Sequence, residues 1–254
     1  MDLISFSIFR GDHFFMWEIL DTGMASAEVN MRLDGELLSK VSTRKNPVLR
    51  LYSWHGDSAT HGYFIEPEKF LNSEAIKERG LNLARRPTGG GIIFHLCDLA
   101  FSVIVPSTDS RFSQNTLANY AFINSFVATV VKKFLGKETK MDILPFDSKE
   151  LDKSSTHFCM ARPTKYDVMV DGKKVGGAAQ RKTRDGFLHQ GTISIGMMPQ
   201  DFLDDILLPG SRVSESIEQN SFSLIGSDWT PMQLFKVRKE VRRLLVQSFL
   251  DEEI

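Results

Sequence analysis

The chain has 254 residues, 42% of them hydrophobic and 25% charged, with a formal net charge of -1. That is an ordinary globular composition, which excludes disordered, collagen-like and coiled-coil chains. Near-neutral charge speaks against a nucleic-acid protein, which relies on an excess of Lys and Arg. Two cysteines, Cys97 and Cys159, allow at most one disulfide, so reduced thiols in a soluble cytoplasmic protein are expected.

Met1 to Leu20 is apolar only in patches, interrupted by Asp2, Arg10, Asp12, His13 and Glu18. No run approaches the roughly 18 apolar residues of a membrane span, and no basic segment precedes an apolar one. A first strand and turn is the expectation, with no membrane and no targeting segment. Residues 24–41 carry Met24, Ala27, Met31 and Leu38 at helical spacing, with Gly35 as a weak point. Val48 to Trp54 reads as a strand. Asn72 to Gly80 reads as a short helix with Asn72 as its N-cap. Three strands follow, Leu83 to Arg86, Ile92 to His95 and Leu99 to Val105, the first two separated by Gly89-Gly90-Gly91.

Tyr120, Ile123, Val127, Val130 and Phe134 form the stripe of a long helix that Gly136 ends. Lys137 to His157 is polar and irregular, a candidate mobile loop. Asp167 to Val170 and Lys174 to Ala179 flank Asp171-Gly172, a hairpin signal, and Phe187 to Ile195 adds a strand. The last helix opens with Thr230 as N-cap, Pro231 at its first position and Gln233 in a capping box. Its apolar stripe is Leu234, Val237, Val241, Leu244 and Phe249. Lys236, Arg238, Lys239, Arg242 and Arg243 form a cationic face, read as solvated, with carrier docking as the alternative. Together these elements predict an α/β (α+β) fold: one mixed, largely antiparallel sheet flanked by helices. A single domain spanning 1–254 is expected, with a helical end over about 200–254.

Two glycine-rich clusters carry the chemistry. In Arg85-Arg86-Pro87-Thr88-Gly89-Gly90-Gly91, glycines let backbone N–H groups approach an anion, and the arginines supply two-pronged phosphate or carboxylate donors. Alone, such a triplet also reads as a flexible turn, and it matches neither the phosphate-loop nor the Rossmann spacing. In Asp171 to Gln180, Lys174 precedes Gly176, Gly177, Ala178 and Ala179, small residues that would form a floor under a ligand with Lys174 at its charged end. A solvated lysine beside a hairpin is the plainer alternative.

The two clusters in order resemble the lipoate–protein ligase and octanoyltransferase superfamily, related to the biotin ligases. The first family pattern, Arg-Arg-x-Thr/Ser-Gly-Gly-Gly followed by a short apolar stretch and His, corresponds to Arg85 to His95. The second corresponds to Gly172 to Ala179, followed by His189-Gln190-Gly191-Thr192. The resemblance implies a mixed-sheet catalytic domain that attaches a lipoyl or octanoyl group to a lysine of a lipoyl domain. It implies Lys174 as the catalytic lysine, and Arg86, Thr88 and Gly89 to Gly91 lining the acyl or adenylate pocket with Gly176 to Ala179. His95 and His189 would shape its walls, or be hydrogen-bonded structural residues. No metal ligands are assigned.

Two routes stay open within the family. A lipoate–protein ligase uses ATP and Mg2+ to make lipoyl-AMP from free lipoate, then modifies lipoyl domains of 2-oxoacid dehydrogenase or glycine cleavage proteins; this is the first reading. It would be a short ligase, with or without a separate accessory subunit, because the stretch after Ile195 is too short for the usual accessory domain. Gly91 supports it, since similar transferases place a larger residue there and an open glycine leaves room for a phosphate. The alternative is an octanoyl-carrier-protein transferase, which needs no cofactor and works through a thioester on Cys159. The run Cys159 to Asp167 resembles the transferase nucleophile segment, with Arg162, Lys165 and Lys174 as cations that favour a thiolate. Leu99 to Pro106 also resembles the transferases, and the Gly-Asn of typical ligases is missing near Asp98. Cys97 fits an inert buried thiol. A biotin–protein ligase would need an arginine-rich adenylate loop that this chain lacks.

Overall fold

The computed structural model describes residues 17–136, 140–145 and 155–252. Strand β1 (Glu18–Ala25) leads through Ser26, whose Oγ caps the helix α1 (Ala27–Ser39) by accepting from Val29 N. Met24 and Ala25 therefore end a strand instead of opening a helix, because Ala25 pairs with Trp54 of β2 (Val48–Trp54). Next come β3 (Ser58–His61), α2 (Ser73–Glu78), β4 (Asn82–Arg85), β5 (Ile93–Phe94) and β6 (Asp98–Pro106). Asn72 caps α2 as expected. Helix α3 (Thr116–Leu135) ends at Gly136, and β7 (Met141–Ile143) follows. Most of the polar stretch expected to be a loop, like most of the N-terminal twenty residues, lies outside the described residues.

The second half holds β8 (Val168–Val170), β9 (Lys173–Lys174), β10 (Ala178–Lys182) and β11 (Gly186–Ser194), then α4 (Gln200–Ile206), α5 (Val213–Asn220) and α6 (Pro231–Leu250). Asp171 and Gly172 both have positive φ, 49° and 77°, and join Val170 to Lys173 as a two-residue hairpin turn. The strand expected over Lys174 to Ala179 is broken at Gly176-Gly177. A Cβ on Gly176 would lie 2.3 Å from Thr192 O, so the chain crosses tightly over β11 while passing from one sheet to another.

Five strands form the large sheet in the order β1-β2-β6-β11-β10. Two smaller sheets have the orders β4-β3-β5 and β7-β8-β9. Only the β1–β2 and β3–β4 pairs are parallel; the other ladders are antiparallel. The fold is thus mixed α/β with largely antiparallel pairing. Strand β6 is buried along its whole length, since its two faces pack on different layers. Leu99, Phe101, Val103 and Val105 join the main core with α3 and α6, while Ala100, Ser102 and Ile104 face α1.

Helix α6 starts with the expected capping box at Thr230 and Gln233, and its buried stripe includes Leu234, Val241, Leu244 and Phe249. Its cationic face is largely engaged. Arg238 donates to the carbonyls of Leu96 and Asp98, Arg242 pairs with Asp21, and Arg243 pairs with Glu240. Among the described residues no helix is long and apolar enough to cross a membrane.

Candidate active site

A cleft lies between the large sheet and the β4-β3-β5 sheet. The large sheet contributes Tyr52, Trp54, Ala178, Ala179, Gln190 and Thr192; facing them are Thr60, Arg86, Ile93 and His95. Cys159 enters from a loop and lies against Gly177. This loop is pinned because Cys159 N donates to Ile92 O at 2.9 Å, and Ile92 N donates to His157 O at 2.6 Å.

Lys174 is 2% exposed, and the end of β9 carries it to the same point. Its Nζ donates to Asp167 Oδ2 at 2.7 Å and to Cys159 O at 2.8 Å, and lies 3.7 Å from Cys159 Sγ. Burial opposes the charge, but Asp167 and the Cys159 thiol outweigh it and hold the ammonium above its ordinary value. Asp167 is oriented in turn by Thr164, whose backbone N and Oγ1 both donate to its Oδ2. Sequence reasoning passed over Asp167 as a lysine partner, although it closes the run that begins at Cys159.

Arg86 lines the cleft, as the resemblance implies, with its guanidinium turned to its own loop. Its Nη1 donates to Thr60 O and Oγ1, both at 3.0 Å, and its Nη2 to the carbonyls of Gly89 and Gly91. The guanidinium thus turns its fork inward and fixes the glycine loop, instead of presenting it to a phosphate. Burial lowers its pKa and the Cys159 sulfur acts in the opposite sense, which places a positive charge close to the thiol. Gly91 is not open space either: a Cβ there would lie 2.3 Å from His157 O. The third glycine allows the Cys159 loop to approach, so it does not report on a nucleotide.

The remaining predicted residues divide between the cleft and the layer beneath it. Ala178 and Ala179 line the cleft with Gly177, whereas Gly176 packs on Thr192. Thr88 is buried and donates to Gln190 Oε1 at 2.6 Å. Gln190 Nε2 donates to Asp34 Oδ2 at 2.6 Å, and Asp34 also receives Arg50 Nη1 and Ser102 Oγ, each at 2.7 Å. This buried network holds the glycine loop to the sheet through α1. Little in the sequence points to this network, because Asp34 and Arg50 lie in different elements.

His95 lines the cleft, stacked on Trp54 at 4.2 Å. Arg86 can only donate to Thr60 Oγ1, so the Thr60 hydroxyl donates to His95 Nε2, and His95 Nδ1–H donates to Asp98 Oδ2 at 2.7 Å. His189 lies beneath the cleft, 6.1 Å from the Phe101 ring, and is not a wall residue. Burial depresses its pKa to about 3. Cys97 is buried, and its thiol is pushed up to about 12, as suits an inert thiol.

The fork of Arg86 is taken up by Thr60 and by the carbonyls of its own loop. The geometry unites a cleft-lining thiol with a buried ammonium, a pair suited to stabilising charge on an acyl group.

Known proteins carry the same arrangement of sequence. Residues 26–225 match the family model for the lipoyl protein ligase A/B catalytic domain, and the chain belongs to this family of lipoate-attachment enzymes. Among its relatives, Octanoyltransferase LipM of Bacillus subtilis is 32% identical over 208 residues, covering 80% of this chain and 74% of that protein. Octanoyltransferase LipM of Anoxybacillus flavithermus is 31% identical, covering 81% and 74%. The fold is that of a putative lipoate protein ligase from Thermoplasma acidophilum, solved with bound lipoic acid: the TM-score is 0.64 at 24% identity, over 91% of this chain and 83% of that one.

Proposed function

We propose that the protein transfers an octanoyl group from an acyl carrier protein to the acceptor lysine of a lipoyl domain, through a thioester on Cys159. The observation that carries this reading is the 3.7 Å contact between Cys159 Sγ and the buried Lys174 ammonium at the cleft wall. The octanoyltransferase names of the relatives support it.

In the first half-reaction the Cys159 thiolate attacks the carbonyl carbon of the carrier thioester. The oxygen gains negative charge beside Lys174, the C–S bond to the carrier breaks, and the carrier leaves as a thiol after taking up a proton. In the second, the neutral amine of the acceptor lysine attacks the Cys159 thioester. An amide forms, Cys159 is released, and the amine gives up one proton. A thioester and an amine become a thiol and an amide, with no nucleotide consumed. From Cys159 beside β10 to Trp54 on β2, the cleft crosses three strand spacings, about 14 Å, which suits an eight-carbon chain.

The lipoyl-AMP route of a ligase, with ATP, Mg2+, free lipoate and an accessory subunit, has weaker support. Arg86 is spent on the loop itself, and the likeness to ligase structures is one of fold. In the transferase reading residues 1–254 act as one catalytic unit in the cytoplasm, where thiols stay reduced.

Intact mass measurement after mixing with octanoyl carrier protein tests the reading. A hydroxylamine-labile octanoyl adduct is expected on the wild type, absent in Cys159→Ser and formed at least about 100-fold more slowly by Lys174→Ala, the usual loss when an oxyanion-stabilising group is removed. An adduct that survives Cys159→Ser would sink it.

A further inference from the structure

The glycine loop has an outer side as well as an inner one. Tyr63 N donates to Thr88 O at 3.0 Å, so the turn after β3 rides on this loop. Tyr63 is 48% exposed and Phe64 88% exposed, which makes Phe64 the most exposed large hydrophobic side chain among the described residues. Arg85 lies with its guanidinium carbon 4.7 Å above the Tyr63 ring, and Arg181 of β10 donates to Pro87 O. Arg85 and Arg181 have no carboxylate partner among the described residues, unlike the arginines Arg242 and Arg243 of α6. Lys182, next along β10, points to the other face of the sheet and donates to Gln114 O. Tyr63, Phe64, Arg85 and Arg181 thus lie together on the outer face of the loop whose inner face holds Arg86 at the cleft.

We infer that this patch, Tyr63, Phe64, Arg85 and Arg181, docks the donor: an acidic carrier protein whose acyl group travels on a phosphodiester-linked arm. The inference rests on the transferase reading given above. Three features select this occupant. Unneutralised cations attract an acidic surface and speed its encounter. An exposed aromatic residue supplies an apolar anchor of the kind that dominates small interfaces. Arg85 is exposed, with its guanidinium carbon 4.7 Å from the centre of the Tyr63 ring, and a guanidinium can grip a phosphodiester with two parallel hydrogen bonds. The patch adjoins the cleft through Gly62, where an added Cβ would lie 1.9 Å from Gly90 O, so a carrier seated here has its arm next to the glycine loop. The cationic face of α6, read from the sequence as solvated with docking as the alternative, is not needed for this contact.

The test separates three reactions of the full-length Arg85→Glu/Arg181→Glu protein: Cys159 acylation by octanoyl carrier protein, Cys159 acylation by the N-acetylcysteamine thioester of octanoate, and discharge of preformed octanoyl-enzyme to a lipoyl domain. The expected result is a rise of at least about tenfold in KM for the carrier donor, loss of its salt dependence, and no change in the other two reactions. Phe64→Ala should raise the same KM and leave its salt dependence intact. An unchanged carrier KM, an equal loss in all three reactions, or a loss confined to discharge overturns the assignment; the last would give the patch to the acceptor. A wild type that forms no adduct with either donor removes the transferase reading and this inference with it.

Discussion

At Gly177 a methyl group would decide whether the nucleophile has room. An added Cβ would lie 2.5 Å from Cys159 Sγ and 3.4 Å from Ile93 Cδ1. Gly177→Ala is therefore expected to displace the sulfur and slow octanoyl-adduct formation by at least about 100-fold, while far-UV circular dichroism stays native; a rate within about twofold of wild type would contradict this placement. Asp167 poses a different test. It pairs at 2.7 Å with an ammonium that is 2% exposed, so Asp167→Asn leaves a buried cation without its counter-charge. Urea denaturation should show a loss of about 3–5 kcal/mol, the range for one broken side of a buried pair. The residues quoted in the sequence motifs do meet in space, Cys159 with Lys174 and Arg86 with the glycines. Their orientations were not legible. Whether an arginine grips a ligand or its own loop depends on which carbonyls lie within 3 Å, and those of Gly89 and Gly91 come from the turn it serves.

Among the elements, α1 supports the cleft through a buried polar network as well as through apolar packing of Ala27, Met31 and Leu38. Asp34 and Arg50 are both fully buried and paired at 2.7 Å, and Gln190 and Thr88 extend their network to the glycine loop. Arg50→Met should cost about 3–5 kcal/mol by stranding Asp34, whereas Asp34→Leu/Arg50→Met should cost less, because no charge remains buried. Thermal or urea midpoints of the two proteins check the order, and the reverse order would contradict it. Sequence periodicity found α3 and α6 well, since each has a long apolar stripe and a clear end signal, Gly136 for α3 and the Thr230 cap for α6. Sequence reading failed at Lys174 to Ala179, where the Asp171-Gly172 hairpin signal suggested a single strand. Gly176 and Gly177 interrupt it there so that Lys174 serves one sheet and Ala178 another.

For the whole molecule, acid stability provides a readout through His189. Burial holds its pKa near 3 in the folded protein, against 6.5 for the ordinary side chain. Between these values the unfolded chain binds a proton that the folded chain does not. Stability therefore rises with pH across the window and falls as acid is added, by at most about 1.4 kcal/mol per unit from this group. Urea midpoints at about pH 4 and about pH 7 should differ less in His189→Gln than in the wild type; an equal difference would show that His189 is not the group responsible. The mixed, largely antiparallel architecture and the family were both legible, because the two glycine clusters occur in order and at family spacing. The choice of reaction was harder to read. Gly91 suggested space for a phosphate, yet it faces the backbone of His157, a contact made across a loop some sixty residues away in sequence.

Acylation of a purified lipoyl domain, with the acyl donor varied, tests the central claim most directly. One reaction contains octanoyl carrier protein without ATP; the other contains free lipoate or octanoate with Mg-ATP. A thioester transferase predicts octanoylated lipoyl domain in the first and none in the second. Product only in the second, with release of AMP, would contradict the account and return the protein to the ligases.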